Sequence, residues 1–301
     1  MDTPLLLIHF NRPDITQRAL EALKPLAPSQ VWILCDAPRA DRPEEAVKVA
    51  AVRAQLDALP WPCEVRRLYR EENLGCFRNI SDGISWFLKD CGSEGIILED
   101  DCIADPSFFT FCSELLERHR DDPSVMAISG HNRCEGVLNK DCDYQFSNYF
   151  ECWGWATWQS AWERFDPDLT AWTDRPQWKE ICRRVFPGLR QRLYWEYMFN
   201  RVKNGQRDSW AYRYFLSIWG AKGKTIIPSQ NLTENIGFRE DGTHAVNSKI
   251  KQVRAQAVQF PLRHPPTDKV SQSVDCWFED NFHSKSFKQR MRWLKDNLPI
   301  G

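Results

Sequence analysis

The 301-residue sequence lacks several features that would fix its class at once. No window approaches about 18 uninterrupted apolar residues, which excludes an ordinary membrane-spanning helix. No CxxC pair and no Cys/His spacing of the zinc-finger kind occurs, so a structural zinc site is not written into the chain. A basic excess is missing too. The formal net charge is -1, which gives no general field for nucleic acid or an anionic membrane. Neither a Walker A loop nor a Rossmann glycine fingerprint is found, which argues against ATP hydrolysis and dinucleotide binding. The eleven cysteines, an odd and scattered set, read as reduced and mostly buried thiols of a cytosolic protein. The opening stretch MDTPLLLIHFNRPD has a short apolar run without a basic leader, and the expectation is that no secretion signal is present.

What is there is a balanced globular chain, 42% apolar and 27% charged, able to bury one good core or two small ones. The first half alternates strand-like and helix-like segments. Pro4 to Phe10, Val31 to Cys35, Cys63 to Tyr69 and Gly95 to Leu98 are apolar runs of strand length. Between them, Ile15 to Leu26, Glu44 to Leu59 and Asn79 to Lys89 carry helical spacing, with Asp14 as an N-cap for the first. This pattern predicts an α/β fold with a mostly parallel, doubly wound sheet flanked by helices. Ligands of such sheets bind outside the carboxyl ends of the strands, so Asp36 and the cluster Glu99-Asp100-Asp101 are expected along one rim.

That acidic triplet is the sharpest local feature. Adjacent like charges repel unless solvent or a cation screens them, so the run LEDDCIADPSFF is either a cation site or a solvated turn. Asp105-Pro106, just after it, suit a helix start. A second distinctive stretch, FECWGWATWQSAW, places Trp155, Trp158 and Trp162 at a spacing that suits one face of a helix, and most of its tryptophans read as core.

Taken in order, HFNRPD, ILCDAP, REENLGCFRN, LEDDCIADPSFF and YFECWGWATWQSAWERF resemble the nucleotide-sugar glycosyltransferases of GT-A fold, of the family 2-like and N-acetylglucosaminyltransferase I-like kind. The likeness covers roughly residues 1 to 245. It implies a Rossmann-like sheet whose residues 1–130 form the nucleotide-sugar-binding half. A helical, Trp-rich acceptor-side half follows over 131–245, and 246–301 is a C-terminal extension. It also implies that Asp101 ligates Mn²⁺ or Mg²⁺, with Glu99 and Asp100 facing the ribose or the metal's waters. Arg12 would meet phosphate or base, Asp36 a uracil-like ring and Arg78 the diphosphate. For Arg12 and Arg78 the alternative is a surface ion pair, and for Asp36 a turn. Gly75 reads as a turn residue needing positive φ.

Trp153 or Trp155 would pack beneath the donor sugar, with Gly154 permitting close approach. Asp208 in NGQRDSWAYRYFLSIW, beside Trp210, is the expected catalytic base, with Glu196 as runner-up; the alternative is an N-cap of the helix-like run Ser209 to Trp219. The stretch NLTENIGFREDGTHA, with Thr233, Asn235, Gly237 and Gly242, resembles a lid that closes over donor, and His244 would then reach the diphosphate or metal. The tail SFKQRMRWLKDNL reads as a packing helix, with a weak peripheral membrane contact as the alternative.

The expected activity is thus a metal-dependent, inverting transfer of sugar from a UDP-type donor to a glycan or other hydroxyl acceptor, with no nucleic-acid partner. A sugar nucleotidyltransferase and a non-enzymatic carbohydrate-binding protein are the competing readings. The first would use an early Gly-rich phosphate loop that the sequence does not show.

Overall fold

The computed structural model describes residues 1–134, 136–137, 141–237 and 253–283. Gly242, His244 and the tail from 286 to 298 lie outside these residues.

The chain runs β1 (Leu5–His9), α1 (Pro13–Leu23), β2 (Gln30–Cys35), α2 (Glu44–Asp57), β3 (Glu64–Tyr69), α3 (Gly75–Cys91) and β4 (Glu94–Glu99). Then come β5 (Cys102–Ala104), α4 (Pro106–Arg118), β6 (Val125–Ser129), β7 (Tyr144–Ser147) and β8 (Trp155–Trp158). A helical region follows: α5 (Gln159–Trp162), α6 (Thr170–Thr173), α7 (Arg175–Val185), α8 (Leu189–Lys203) and α9 (Trp210–Gly220). The described residues close with β9 (Lys224–Pro228), β10 (Thr233–Asn235), α10 (Gln272–Phe278) and a π-helical turn, Glu279–His283.

Eight strands form one sheet in the order β3-β2-β1-β4-β8-β6-β9-β7, and β10 pairs with β5 in a two-stranded ribbon. Pairing is parallel between β1 and β2, β2 and β3, β1 and β4, and β6 and β9. It is antiparallel where β8 meets β4 and β6, and where β7 meets β9. Only β8 and β7 therefore run against the rest, and the sheet is mostly parallel as the alternating sequence implies. It draws strands from both 1–130 and 131–245, since β8 inserts between β4 and β6.

Strands covered by helices on both faces need apolar residues throughout rather than alternation. Leu5, Leu6 and Leu7 of β1 and Ile96 and Ile97 of β4 are buried accordingly. Each such side chain contributes about 1.5–3 kcal/mol relative to exposure. β3, at the edge, carries exposed Glu64, Arg66 and Arg67, the charged edge that discourages pairing with another chain. Right-handed crossovers fix the layers. The steps β1 to β2 and β2 to β3 move one way, placing α1 against α2 on one face, and β3 to β4 returns the other way, placing α3 on the opposite face.

Two local expectations change. α1 begins at Pro13, so Asp14 sits in its first turn and Arg12 occupies the N-cap position without a side-chain cap bond. Asp105, by contrast, caps α4 as expected, accepting from Ser107 N at 2.9 Å. The tryptophans 155 and 158 lie in β8, not on a helix, and only Trp162 is helical. Pairing of Trp155 with Ile97 and Ser129, and of Trp158 with Glu94, on neighbouring strands overrides the three-then-four spacing. The Trp-rich helical region does exist, one segment later, where α5 to α9 carry Trp162, Trp172, Trp178, Trp195, Trp210 and Trp219. All eleven cysteines are free. Among the described residues no helix is long and apolar enough to cross a membrane.

Candidate active site

Strand order reverses between β1 and β4, because β1 leads outward to β2 and β3 while β4 lies on its other side. At such a switch point the loops diverge and leave a crevice at the strands' carboxyl ends. Arg12, three residues past β1, and the acidic triplet at the end of β4 meet there.

The three carboxylates are not equivalent. Asp100 is turned inward and buried, held by two Arg12 contacts, one of them Nε to Oδ2 at 3.1 Å. Arg12 Nη2 also reaches Asp101 Oδ2 at 3.0 Å. The other Asp101 oxygen accepts from Asn235 Nδ2 at 3.1 Å. Glu99 has no hydrogen-bond partner among the described residues and faces a cleft of about 330 Å³ that Asp101 and Arg12 also line. Burial, then the charges of Asp101 and Asp100, push its carboxyl up to about 8. Burial alone would lower the Arg12 pKa, but the two aspartates hold it above its ordinary value. One guanidinium thus faces three carboxyl groups, and Glu99 carries the proton that reduces their repulsion. Asp100, expected beside the ribose, instead lies beneath Arg12 and off the cleft wall.

Gly237 closes this corner. A Cβ there would lie 2.2 Å from Asp101 Oδ2 and 2.9 Å from Arg12 Nη1, so only glycine lets the backbone pass so near the ion pair. The residues leading to it are fixed. Asn231, Leu232 and Thr233 are buried, β10 pairs with β5, and Thr233 Oγ1 donates to Trp153 O. Residues 231–237 of the expected lid are thus packed and hydrogen-bonded in this structure; the rest of that segment lies outside the described residues.

The opposite wall carries Trp153. The Arg133 guanidinium lies 3.8 Å from its ring centroid and 4.2 Å from that of Phe282, and His131 meets the Trp153 ring edge-on at 4.5 Å. Arg133 Nε donates to Glu151 Oε2 at 2.7 Å. Gly154 has φ +70, the left-handed turn that swings Trp153 out of the sheet. Trp155, the other candidate beneath a sugar, is fully buried and stacks on Trp210 at 5.4 Å, so it is core and not cleft.

Other expected residues are placed elsewhere. Asp36 is buried and already occupied: its carboxylate accepts from the backbone N–H groups of Ala37 (2.9 Å), Leu74 (3.0 Å) and Gly75 (3.1 Å) and from Asn73 Nδ2 (3.2 Å). It shapes the turn that starts α3, where Gly75 has φ +76, and leaves no oxygen for a base. Arg78 projects into a separate groove of about 700 Å³, shared with Ser81, Asp82, Lys89 and Lys203, and does not reach the acidic cluster. Although larger, that groove lies away from the switch point. Glu196 pairs with Arg175 at 2.6 Å and accepts from Trp172 Nε1, so it is a structural carboxylate off the cleft.

Asp208 is exposed and does not cap its own helix; Ser209 occupies that N-cap position. Its Oδ1 accepts from Phe77 N at 3.2 Å, capping α3 from a distant segment. Its neighbours Arg207 and Ser209 line the cleft, while its own carboxylate lies against the start of α3, beside Gly75 and Phe77.

Residues not singled out from sequence also line the cleft: Arg133, Glu151, Arg207, Phe282 and His283. Arg207 and Glu151 stand inside quoted motifs, close to flagged residues. Phe282 and His283 come from the C-terminal extension, where no motif pointed.

A hard divalent cation sits well on one or two carboxylates together with substrate phosphates. Glu99, a half-buried carboxyl without a hydrogen-bond partner among the described residues, and Asp101 supply two hard oxygen donors on the cleft wall, and this donor set fits Mn²⁺ or Mg²⁺. Among the described residues no group of three or more His, Cys, Asp or Glu could hold a metal by itself, so further ligands would come from substrate and water.

No protein-family model matches the chain. No curated protein matches it either. Among solved structures it is similar to mannose-1-phosphate geranyltransferase from Thermus thermophilus, with 14% identity and a TM-score of 0.34 over 71% of this chain and 67% of that one. It is also similar to mouse xyloside xylosyltransferase 1 in its apo form, with 12% identity and a TM-score of 0.34 over 73% of this chain and 82% of that one.

Proposed function

We propose that the chain is a glycosyltransferase of the GT-A type that moves a sugar from a nucleotide diphosphate donor, UDP-linked in the first instance, to an acceptor hydroxyl with inversion. The observation that supports this most is the pairing of Glu99 and Asp101 with Arg12 at the switch point of a mostly parallel sheet, facing a cleft whose other wall carries Trp153. In this reading the nucleotide lies across the ends of β1 and β4, and Arg12 orients Asp101 through its 3.0 Å contact. Asp101 and Glu99 would hold the divalent cation, whose bound charge offsets that building on the leaving diphosphate. Trp153, stiffened by the Arg133 guanidinium on its face, offers an apolar wall to the pyranose ring.

Asp208 would take the acceptor hydroxyl proton as that oxygen attacks the anomeric carbon and the bond to the diphosphate oxygen breaks. Its exposure suits a base that meets an acceptor arriving from solvent, and the Phe77 N–H fixes one of its oxygens while the other stays available. Incubation with a panel of nucleotide sugars and Mn²⁺ tests the proposal. Donor hydrolysis or transfer supports it; pyrophosphate-dependent exchange of the nucleotide would point to nucleotidyl transfer instead, and silence across the panel would contradict it.

A further inference from the structure

Buried polar groups are nearly always hydrogen-bonded, and each exception needs an explanation. Three of the exceptions in this molecule line the same cleft as Glu99 and Asp101. They are Arg133 Nη1, Arg207 Nε and His283 Nε2, each shielded from solvent and each without a partner among the described residues. The Arg133 side chain is 8% exposed and His283 is 5% exposed.

The packing holds these groups in place. Arg133 is clamped between Trp153 and Phe282 at 3.8 and 4.2 Å, and its Nε is committed to Glu151, which leaves Nη1 to point elsewhere. Arg207 lies over Tyr212 at 5.0 Å and makes no ion pair among the described residues. The His283 ring stacks on Tyr149 at 5.2 Å and meets Phe282 at 4.9 Å. Burial, then the charge of Arg133, lower its pKa to about 3, so the ring is neutral and one nitrogen can donate without adding charge.

Leaving a buried polar group without a partner is costly. Three such groups line one cleft, and two belong to guanidinium groups, whose matched partners are carboxylate and phosphate oxygens.

We infer that Arg133, Arg207 and His283 form an oxyanion-binding subsite in the cleft that Glu99 and Asp101 also line, taking a phosphate or carboxylate group of the ligand. The cleft then offers carboxyl oxygens for a cation and guanidinium and imidazole groups for an oxyanion. The inference rests on the transfer reading only for the source of the oxyanion, which is either the donor's diphosphate or an acidic group on the acceptor.

Calorimetric titration separates these cases, using inorganic pyrophosphate, UDP and D-glucuronate as probes at fixed ionic strength. Arg207→Gln is the main variant because it leaves no buried carboxylate unpaired; Arg133→Gln, which strands Glu151, is used only if its thermal unfolding stays cooperative. Arg78→Gln, in the separate groove, is the control. The expected result is that Arg207→Gln weakens at least one probe tenfold or more, that Arg207→Lys restores part of the loss, and that Arg78→Gln stays within twofold of wild type. A loss with pyrophosphate and UDP assigns the subsite to the donor's diphosphate. A loss confined to D-glucuronate assigns it to an acidic acceptor. Binding by none of the probes, or binding that Arg207→Gln leaves within twofold, overturns the inference. Nucleotide-sugar turnover that persists with unaltered affinity in Arg207→Gln would overturn the subsite and leave the transfer reading standing; oxyanion binding without any turnover would do the reverse.

Discussion

Arg12 Nη2 lies 3.0 Å from Asp101 Oδ2, and this contact ties the loop after β1 to the end of β4 at the point where strand order reverses. It explains how three consecutive carboxylates persist at the end of a buried strand. Asp100 is neutralised from above by the same guanidinium, Asp101 shares it, and Glu99 keeps a proton until its pKa of about 8 is passed or a cation arrives. The cluster is therefore tolerable as it stands, yet it retains carboxyl oxygens on the cleft wall.

Asp36 provides a clean test of structure against ligand binding. Replacing it with Ala strands the half-buried N–H groups of Leu74 and Gly75, and at about 1–3 kcal/mol for each unmade bond the fold should lose roughly 2–6 kcal/mol. Urea denaturation measures this directly. An unchanged midpoint together with weakened nucleotide binding would return Asp36 to the uracil-binding role.

For Asp208 the conservative change separates two roles. Asp208→Asn can still accept from Phe77 N–H, so thermal stability should hold, whereas loss of basicity should lower turnover by about 100-fold with donor affinity nearly unchanged. Asp208→Ala should in addition lose about 1 kcal/mol, as the cap on α3 is removed. Wild-type turnover in the Asn variant would rule out Asp208 as base.

The pH dependence of stability should carry a signature of Asp275. Burial raises its pKa to about 6, despite hydrogen bonds from Ser147 Oγ, Asn148 N and Asn148 Nδ2. A carboxyl whose folded pKa lies above its unfolded value of 3.8 binds more protons when folded. Its contribution is then fully present below about pH 4 and is lost as pH rises through about 6. Relative to Asp275→Asn, wild-type stability should fall by up to roughly 3 kcal/mol over that window, at about 1.36 kcal/mol per pKa unit. Guanidinium melts of both proteins from pH 4 to 8 check it; a constant difference would contradict the assignment.

Much of the fold is legible in the sequence because its first half obeys local rules. β1, β2, β3 and β4 fall within a residue or two of the apolar runs that predict them, and the rim position of the acidic triplet follows from parallel topology alone. Trp155 and Trp158 mislead because their spacing fits a helix, while their conformation is set by strands more than 25 residues away in sequence. Asp36 and Arg78 mislead for a related reason. A motif gives a residue's position along the chain, but whether its side chain turns toward the cleft, into a turn or to another groove depends on partners such as Leu74 N that no spacing encodes. Phe282 and His283 are invisible to a motif search, since an extension that returns to cover a cleft has no composition of its own.

The most direct test of nucleotide-sugar transfer at this cleft is UDP release from UDP-sugars in the presence of Mn²⁺, measured for wild type and for Asp101→Asn. The Asn side chain preserves volume and can still accept from Asn235 Nδ2, so the variant should fold, as far-ultraviolet circular dichroism would show. Loss of the anionic ligand should then cut release by about 100-fold or more. Equal release by a folded Asp101→Asn protein, with the same dependence on Mn²⁺, would contradict the account.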